Sequence, residues 1–410
     1  MASSSSPLKS KRFFPSFEAS QLDALRSTLA QCRTSLPAPT YASMQASKDG
    51  KNYGVTSEWM DHTLEYWHES FDWSKREKNM NSVDHYMTTI DDAECGQFKA
   101  IVNRFQIHYI AHFSPDPTAI PLLLFHGWPG SAHEFTEAIK LLSKPSSSSS
   151  SPSFSIVCPN QPGYGWSSGP PLDRSFGMYD VARICHALML GLGFKSYVAQ
   201  GGDIGSVIAR IMASRYKECR AVNLNYLPLL PASGQWVSGW DTGLNPREKD
   251  NAYKAFKFAM TGRGYGTMHG TRPATIGIIV QSSPTALLAW LGEKLLEWTE
   301  QDPDLDHLLE IVTTWWLLGT FPKSIYAYAE LTSGVGTWHR DPKLYIYQPF
   351  GFSSFGHEIA SAPEAWAKET GRLEFYRYHE KGGHFAAMER PEDFAQDMRD
   401  CFGKLWHLKQ

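Results

Sequence analysis

Apolar residues fall into short blocks separated by polar stretches that carry glycine or proline, and the blocks show two periods. The runs at 107–113, 122–125, 154–158, 196–200, 221–226, 343–348 and 372–378 have the length and composition of strands, and several are bounded by Gly or Pro. Segment 179–191 instead repeats its apolar positions with helical spacing. Strands alternating with helices predict an α/β class domain, with a mainly parallel, doubly wound sheet and helices on both faces. The alternation breaks between about 231 and 334, where strand signals vanish and helix-like segments such as 286–298 and 308–318 dominate. A helical cap inserted into the sheet domain is the simplest account. Residues 1–115 are rich in Trp, His and acidic side chains, with an amphipathic stretch carrying Leu64, Trp67 and Phe71, and read as a segment wrapping the main domain. The expected organisation is therefore an N-terminal segment (1–115), a first core part (116–230), a cap (231–334) and a second core part (335–410).

Composition narrows the classes of partner. At 410 residues the chain can fill a sizeable core, and a net charge of −3 with both signs interspersed offers no electrostatic footprint for nucleic acid or an anionic membrane. The six cysteines, at 32, 95, 158, 185, 219 and 401, lie far apart without a C-x-x-C pair, which fits reduced, buried thiols. The first twelve residues carry Lys9, Lys11 and Arg12 but no apolar run of signal-peptide length follows, and the longest apolar runs fall far short of a membrane span. A soluble, cytoplasmic protein without a stable membrane anchor is expected. The serine run 146–151, framed by Pro145 and Pro152, reads as a flexible surface loop without chemistry.

Candidate chemistry concentrates where strands end. Segment 196–210 reads as strand, glycine-hinged turn and helix, with Asp203 at the point of the turn and Gly201 and Gly205 two residues to either side. A serine there would need a base to become nucleophilic, whereas an aspartate with a free pKa of about 3.9 is already ionised at neutral pH. The turn His126-Gly127-Trp128-Pro129-Gly130 follows an apolar strand, and its Trp128 N–H together with the Ile204 N–H would make an oxyanion hole. His384, in the loop Gly382-Gly383-His384 past the last strand, is the candidate general base, with His379 the weaker alternative. Glu358, after the strand at 343–348, is placed to orient that imidazole; Asp341 precedes the strand and sits at its wrong end, and Asp241 in the early cap stays open. Gly165-Trp166-Ser167-Ser168-Gly169 matches the serine-hydrolase pattern G-x-S-x-G, but it runs into Pro170-Pro171 instead of opening a helix, so Ser167 is no nucleophile. No histidine follows His357-Glu358 at helical spacing, so no zinc site is implied.

Taken together, HGWPGS (126–131), QPGYGWS (161–167), GGDIGS (201–206) and GGHFAAMERPE (382–392), with Trp67 and Phe71-Asp72-Trp73 upstream, make the chain resemble an epoxide hydrolase of the α/β-hydrolase fold, in a soluble form of the microsomal-type branch. The resemblance implies hydrolysis of a small apolar epoxide to a vicinal diol, with Asp203 as nucleophile and His384 and Glu358 activating water. It also implies two cap tyrosines that protonate the epoxide oxygen. These match Tyr265 and Tyr328, with Tyr326 a rival for the second place; without the resemblance, two could not be chosen from 18 tyrosines. No metal or organic cofactor is required, and a homodimer is compatible. A haloalkane dehalogenase shares the aspartate and histidine, but there a Trp commonly follows the nucleophile to hold the halide, and here Ile204 stands in its place. A catalytically silent binding protein would use the same pocket without turnover. Detoxification and a biosynthetic step on an epoxide fit equally well.

Overall fold

The computed structural model describes residues 8–33, 54–92, 103–144, 151–231, 239–333 and 337–408. Cys95, residues 146–150 of the serine run and the first seven residues lie outside them. Nine strands form one sheet: β1 (Lys11–Phe13), β2 (His85–Asp92), β3 (Asn103–His112), β4 (Ile120–Phe125), β5 (Phe154–Pro159), β6 (Tyr197–Gly201), β7 (Cys219–Leu224), β8 (Ile346–Phe355) and β9 (Gly371–His379). Their order is β1-β2-β3-β5-β4-β6-β7-β8-β9. From β5 to β9 neighbouring strands are parallel, whereas β1, β2 and β3 add an antiparallel edge.

Side-chain alternation sets the two faces. In β4, Leu123 and Phe125 join the core beneath the helices Met178–Gly191 and Asp203–Arg215, while Leu122 and Leu124 join the core beneath Thr136–Leu142 and Pro391–Leu405. Both faces are buried, so the strand reads as a continuous apolar run. Between β7 and β8 come the helices Pro246–Lys257, Gly264–Thr271, Pro273–Gln281, Pro284–Glu297 and Leu305–Leu318, which form the cap. Among the described residues no single helix is long and apolar enough to cross a membrane.

Three local readings differ from the structure. The N-terminal segment does more than wrap: β1 and β2 extend the sheet, and their half-exposed, polar-rich sequences hide the strand period. The helix through Trp67 stops at Glu69, because Asp72 turns its carboxylate onto the Ser74 N–H (3.0 Å) and starts a second helix, Trp73–Met80. The strand read at 343–348 runs from Ile346 to Phe355; Lys343 lies in a short turn. A proline such as Pro349 ordinarily closes a strand, but a register shift between Ile346 and Pro349 absorbs the missing donor and pairing with β9 resumes. The end of β8 at Phe355 thus lies three residues before Glu358.

Candidate active site

Asp203 stands directly after β6, at the first residue of the helix Asp203–Arg215, with φ +47°. Among the described residues it is the sole non-glycine with positive φ, a backbone state that costs an L-residue of order 1 kcal/mol or more. The turn is tight because Gly205 passes the β4 end so closely that an added Cβ would meet the carbonyl oxygens of Phe125 and His126 at 2.6 and 2.7 Å. A side chain on Gly127 would likewise run into the Asp203 carboxylate. Glycine at both positions lets the 126–130 loop approach the elbow.

That approach delivers a donor. The Trp128 N–H donates to Asp203 Oδ1 at 2.8 Å. The Ile204 amide lies in the first helical turn, where no intrahelical carbonyl can take it, and the turn's dipole favours negative charge at Asp203. His126 is buried and acts as a strut: its Nδ1 lies 3.0 Å from the Gly127 carbonyl, and its Nε2 accepts the Gln161 N–H at 3.2 Å, which assigns the proton to Nδ1. Burial pushes this imidazole down to about 4, so it stays neutral.

His384 reaches the elbow from the loop after β9. Its Nε2 is 3.3 Å from Asp203 Oδ2 and its Nδ1 is 2.8 Å from Glu358 Oε1. The Nε2 contact is close in distance but not aligned as a hydrogen bond, and Nε2 has no partner among the described residues. The loop is pinned by the backbone N–H of His384, which donates to the Trp298 carbonyl at 2.9 Å, and the ring makes edge contacts with Tyr226 and Trp298. Burial works against the charged ring, but the Glu358 and Asp203 carboxylates outweigh it and hold His384 well above the usual histidine range. Glu358 is 1 % exposed.

The two cap tyrosines complete the opposite wall. Asp203, Ile204, Val207, Phe258, Tyr265 and Tyr328 line, with others, a cavity of about 70 Å³ between elbow and cap. Tyr265 stacks on Trp128 with ring centres 5.2 Å apart and meets Tyr328 edge-on at 5.8 Å. Burial, with the nearby Asp203 charge adding to it, raises both phenols, so each enters neutral and able to donate. Tyr326 points elsewhere: its hydroxyl donates to the Pro162 carbonyl at 2.9 Å.

The remaining alternatives lie apart from this constellation. His379 pairs with Asp397 at 2.8 Å, Asp241 with Lys249 at 2.7 Å, and Asp341 accepts the Lys343 N–H at 2.9 Å. Ser167 donates to the Asn160 carbonyl at 2.7 Å and accepts the His108 N–H, a bracing role. Two polar residues beside Asp203 escaped the sequence reading, Glu134 and Asn225, which line a second, smaller cavity. Glu134 is four residues past Gly130 in the 3-10 turn Ala132–Phe135, and nothing in its local pattern separates it from a solvated surface acid.

A strained, N–H-bound side chain after a central strand, faced by a histidine and a carboxylate from later strand ends, defines the α/β-hydrolase class. Comparison with known proteins agrees. Residues 10–135 match the model described as epoxide hydrolase N terminus, and residues 120–303 match that of the alpha/beta hydrolase fold. Epoxide hydrolase 1 of Sus scrofa is 33 % identical over 386 residues, which cover 86 % of this chain and 82 % of the relative. The structure of Aspergillus niger epoxide hydrolase is 38 % identical, with a TM-score of 0.87 and 98 % of both chains covered. That of juvenile hormone epoxide hydrolase from the silkworm Bombyx mori is 27 % identical, with a TM-score of 0.78 and 99 % and 96 % covered. The chain belongs to the epoxide hydrolase family of the α/β-hydrolase fold.

Proposed function

We propose that the protein converts an apolar epoxide to a vicinal diol through an alkyl ester on Asp203. The observation that carries this reading is the split environment of one carboxylate at the wall of the cap cavity: Oδ1 is taken by the Trp128 N–H at 2.8 Å, while Oδ2 lies beside His384 at 3.3 Å. Oδ2 attacks a ring carbon from behind, the ring C–O bond breaks, and its electron pair goes to the epoxide oxygen, which takes a proton from Tyr265 or Tyr328. A free phenol of pKa about 10 is far more acidic than an alkoxide, so donation becomes favourable as the ring opens.

Alkylation also prepares the base. While Asp203 is charged, it helps to hold a proton on His384. Esterification removes that charge and lowers the histidine pKa, so His384 releases its proton to solvent and Nε2 can take one from water; the ring is reprotonated from solvent when the Asp203 carboxylate returns. Water oxygen bonds to Cγ, the oxyanion forms on Oδ1 against the Trp128 and Ile204 N–H groups, and collapse breaks the Cγ–Oδ2 bond. The diol leaves with Oδ2 and the His384 proton, and the second water proton, left on the new carboxyl, restores the tyrosine. Glu358 stabilises the imidazolium meanwhile. The wall residues Val207, Phe258, Leu331 and Trp338 favour an apolar substituent on the epoxide.

A single turnover in heavy-oxygen water, with enzyme in excess over styrene oxide, tests the scheme. The first diol should carry no heavy oxygen, since its new hydroxyl comes from Asp203. Heavy oxygen in that first diol would mean direct attack by water, and the ester would have to be abandoned.

A further inference from the structure

Asp203 borders two cavities. The cap cavity receives the epoxide; the second, of about 20 Å³, is lined by Gly127, Trp128, Glu134, Asn225, His384 and hydrophobic residues of the 385–394 region, with no residue from the cap. That volume admits one water molecule, given two or more polar partners. The partners are there. Among the described residues Glu134 Oε2 and His384 Nε2 are both buried and both without a hydrogen-bond partner. The Glu134 carboxyl lies against Gly130, where any added Cβ would strike it, so its position depends on the bare backbone of the HGWPG turn.

We propose, building on the ester mechanism above, that Glu134 and His384 together hold the hydrolytic water against Cγ of Asp203, on the side of the nucleophile away from the epoxide. The water donates one O–H to His384 Nε2 and the other to a carboxyl oxygen of Glu134, leaving a lone pair directed at Cγ. As the O–Cγ bond forms, the first proton passes to His384; the second stays with the new carboxyl, and Glu134 neither gains nor loses a proton. Burial pushes Glu134 up to about 8, against the attraction of His384 and with the repulsion of Asp203 adding to the rise. The residue is therefore a neutral acid near pH 7, which spares the site a second anion beside the nucleophile. Glu134 is a positioning residue, acting through the water and not on the epoxide.

The two half-reactions separate this role from a structural one. Rapid mixing of styrene oxide with wild type, Glu134→Met and Glu134→Gln, quenched in acid, resolves ester formation by intact-protein mass and ester decay by diol release. Glu134→Met, which keeps the volume but removes the acceptor, should slow ester hydrolysis at least about tenfold while alkylation stays within about threefold. kcat and KM then fall together and kcat/KM holds, because kcat/KM reports alkylation. Glu134→Gln keeps a neutral acceptor and should hydrolyse the ester within about threefold of wild type. Should the Met variant not fold, Glu134→Ala gives the same reading. Unchanged hydrolysis in the Met variant, an equal loss in both half-reactions, or a Gln variant as slow as Met would each overturn the role. A wild type that forms no ester would overturn the Asp203 mechanism as well, whereas a normal wild-type ester with an unaffected Met variant removes only Glu134.

Discussion

In the proposed mechanism Tyr265 and Tyr328 share the protonation of the epoxide oxygen, a task that neither sequence spacing nor composition assigns to them. Tyr328 is buried and Tyr265 half-buried over the elbow, both phenols are raised above the usual tyrosine range, and Tyr265 also stacks on Trp128, whose N–H donates to Asp203. Replacing either by Phe removes one donor to the epoxide oxygen and leaves the ring in place. Each single variant should lower the alkylation rate by about tenfold to a hundredfold, within the range of a lost acid catalyst, and the double variant should lose far more than one alone. Stopped-flow tryptophan fluorescence, sensitive to Trp128 and Trp298 beside the site, would follow it; a double variant no slower than the singles would show that only one tyrosine acts. Asp203, His384 and Glu358 were legible because their neighbours or their chain positions are unusual: glycines around Asp203 and His384, and a strand end before Glu358. Glu134 was not, since its distinction is a buried, unpartnered carboxyl oxygen beside Asp203, which no local pattern reports.

The strand, turn and helix around Asp203 form the element on which everything else is hung. Its sharpness comes from contacts between backbones, and backbones have little room to yield. Gly205→Ala would press a methyl onto the Phe125 and His126 carbonyls at 2.6 and 2.7 Å. The expected cost is about 3 kcal/mol, the upper range for overpacking, with activity lost because the 126–130 loop is pushed from Asp203. Urea unfolding with parallel activity assays would check it, and a variant of wild-type stability and activity would mean that the turn is more compliant than its contacts suggest. This element could be read directly from its glycine spacing. β8 could not be read in full, because a proline usually ends a strand and only the pairing with β9 reveals the register shift that carries it through.

Across the molecule, the N-terminal segment ties the cap to the sheet domain. Trp67 Nε1 donates to Thr313 Oγ1 at 3.0 Å, the Tyr66 hydroxyl to Asp306 at 2.9 Å, and Arg76 Nε to Glu310 Oε2 at 2.7 Å, all on the cap helix Leu305–Leu318. Glu310 is 4 % exposed, so removing Arg76 strands a buried carboxylate. Arg76→Met should cost about 2–4 kcal/mol, and adding Glu310→Leu should recover most of it, as expected of a buried pair replaced by apolar groups. A double-mutant cycle in urea measures the coupling; losses that simply add would show that the pair does not couple the two parts. None of these ties was visible in sequence, where the partners stand 234 to 246 residues apart, at helix positions that look like ordinary surface.

The order of elements, the strained carboxylate and its histidine were determined by the chain alone, because strand periodicity, glycine spacing and strand ends are local properties. The tertiary structure decided what depends on surroundings: which tyrosines face Asp203, that β1 and β2 join the sheet, and that the Glu134 carboxyl packs against Gly130 beside Asp203. Burial and the approach of distant backbones set those outcomes, and both arise only when remote segments pack together.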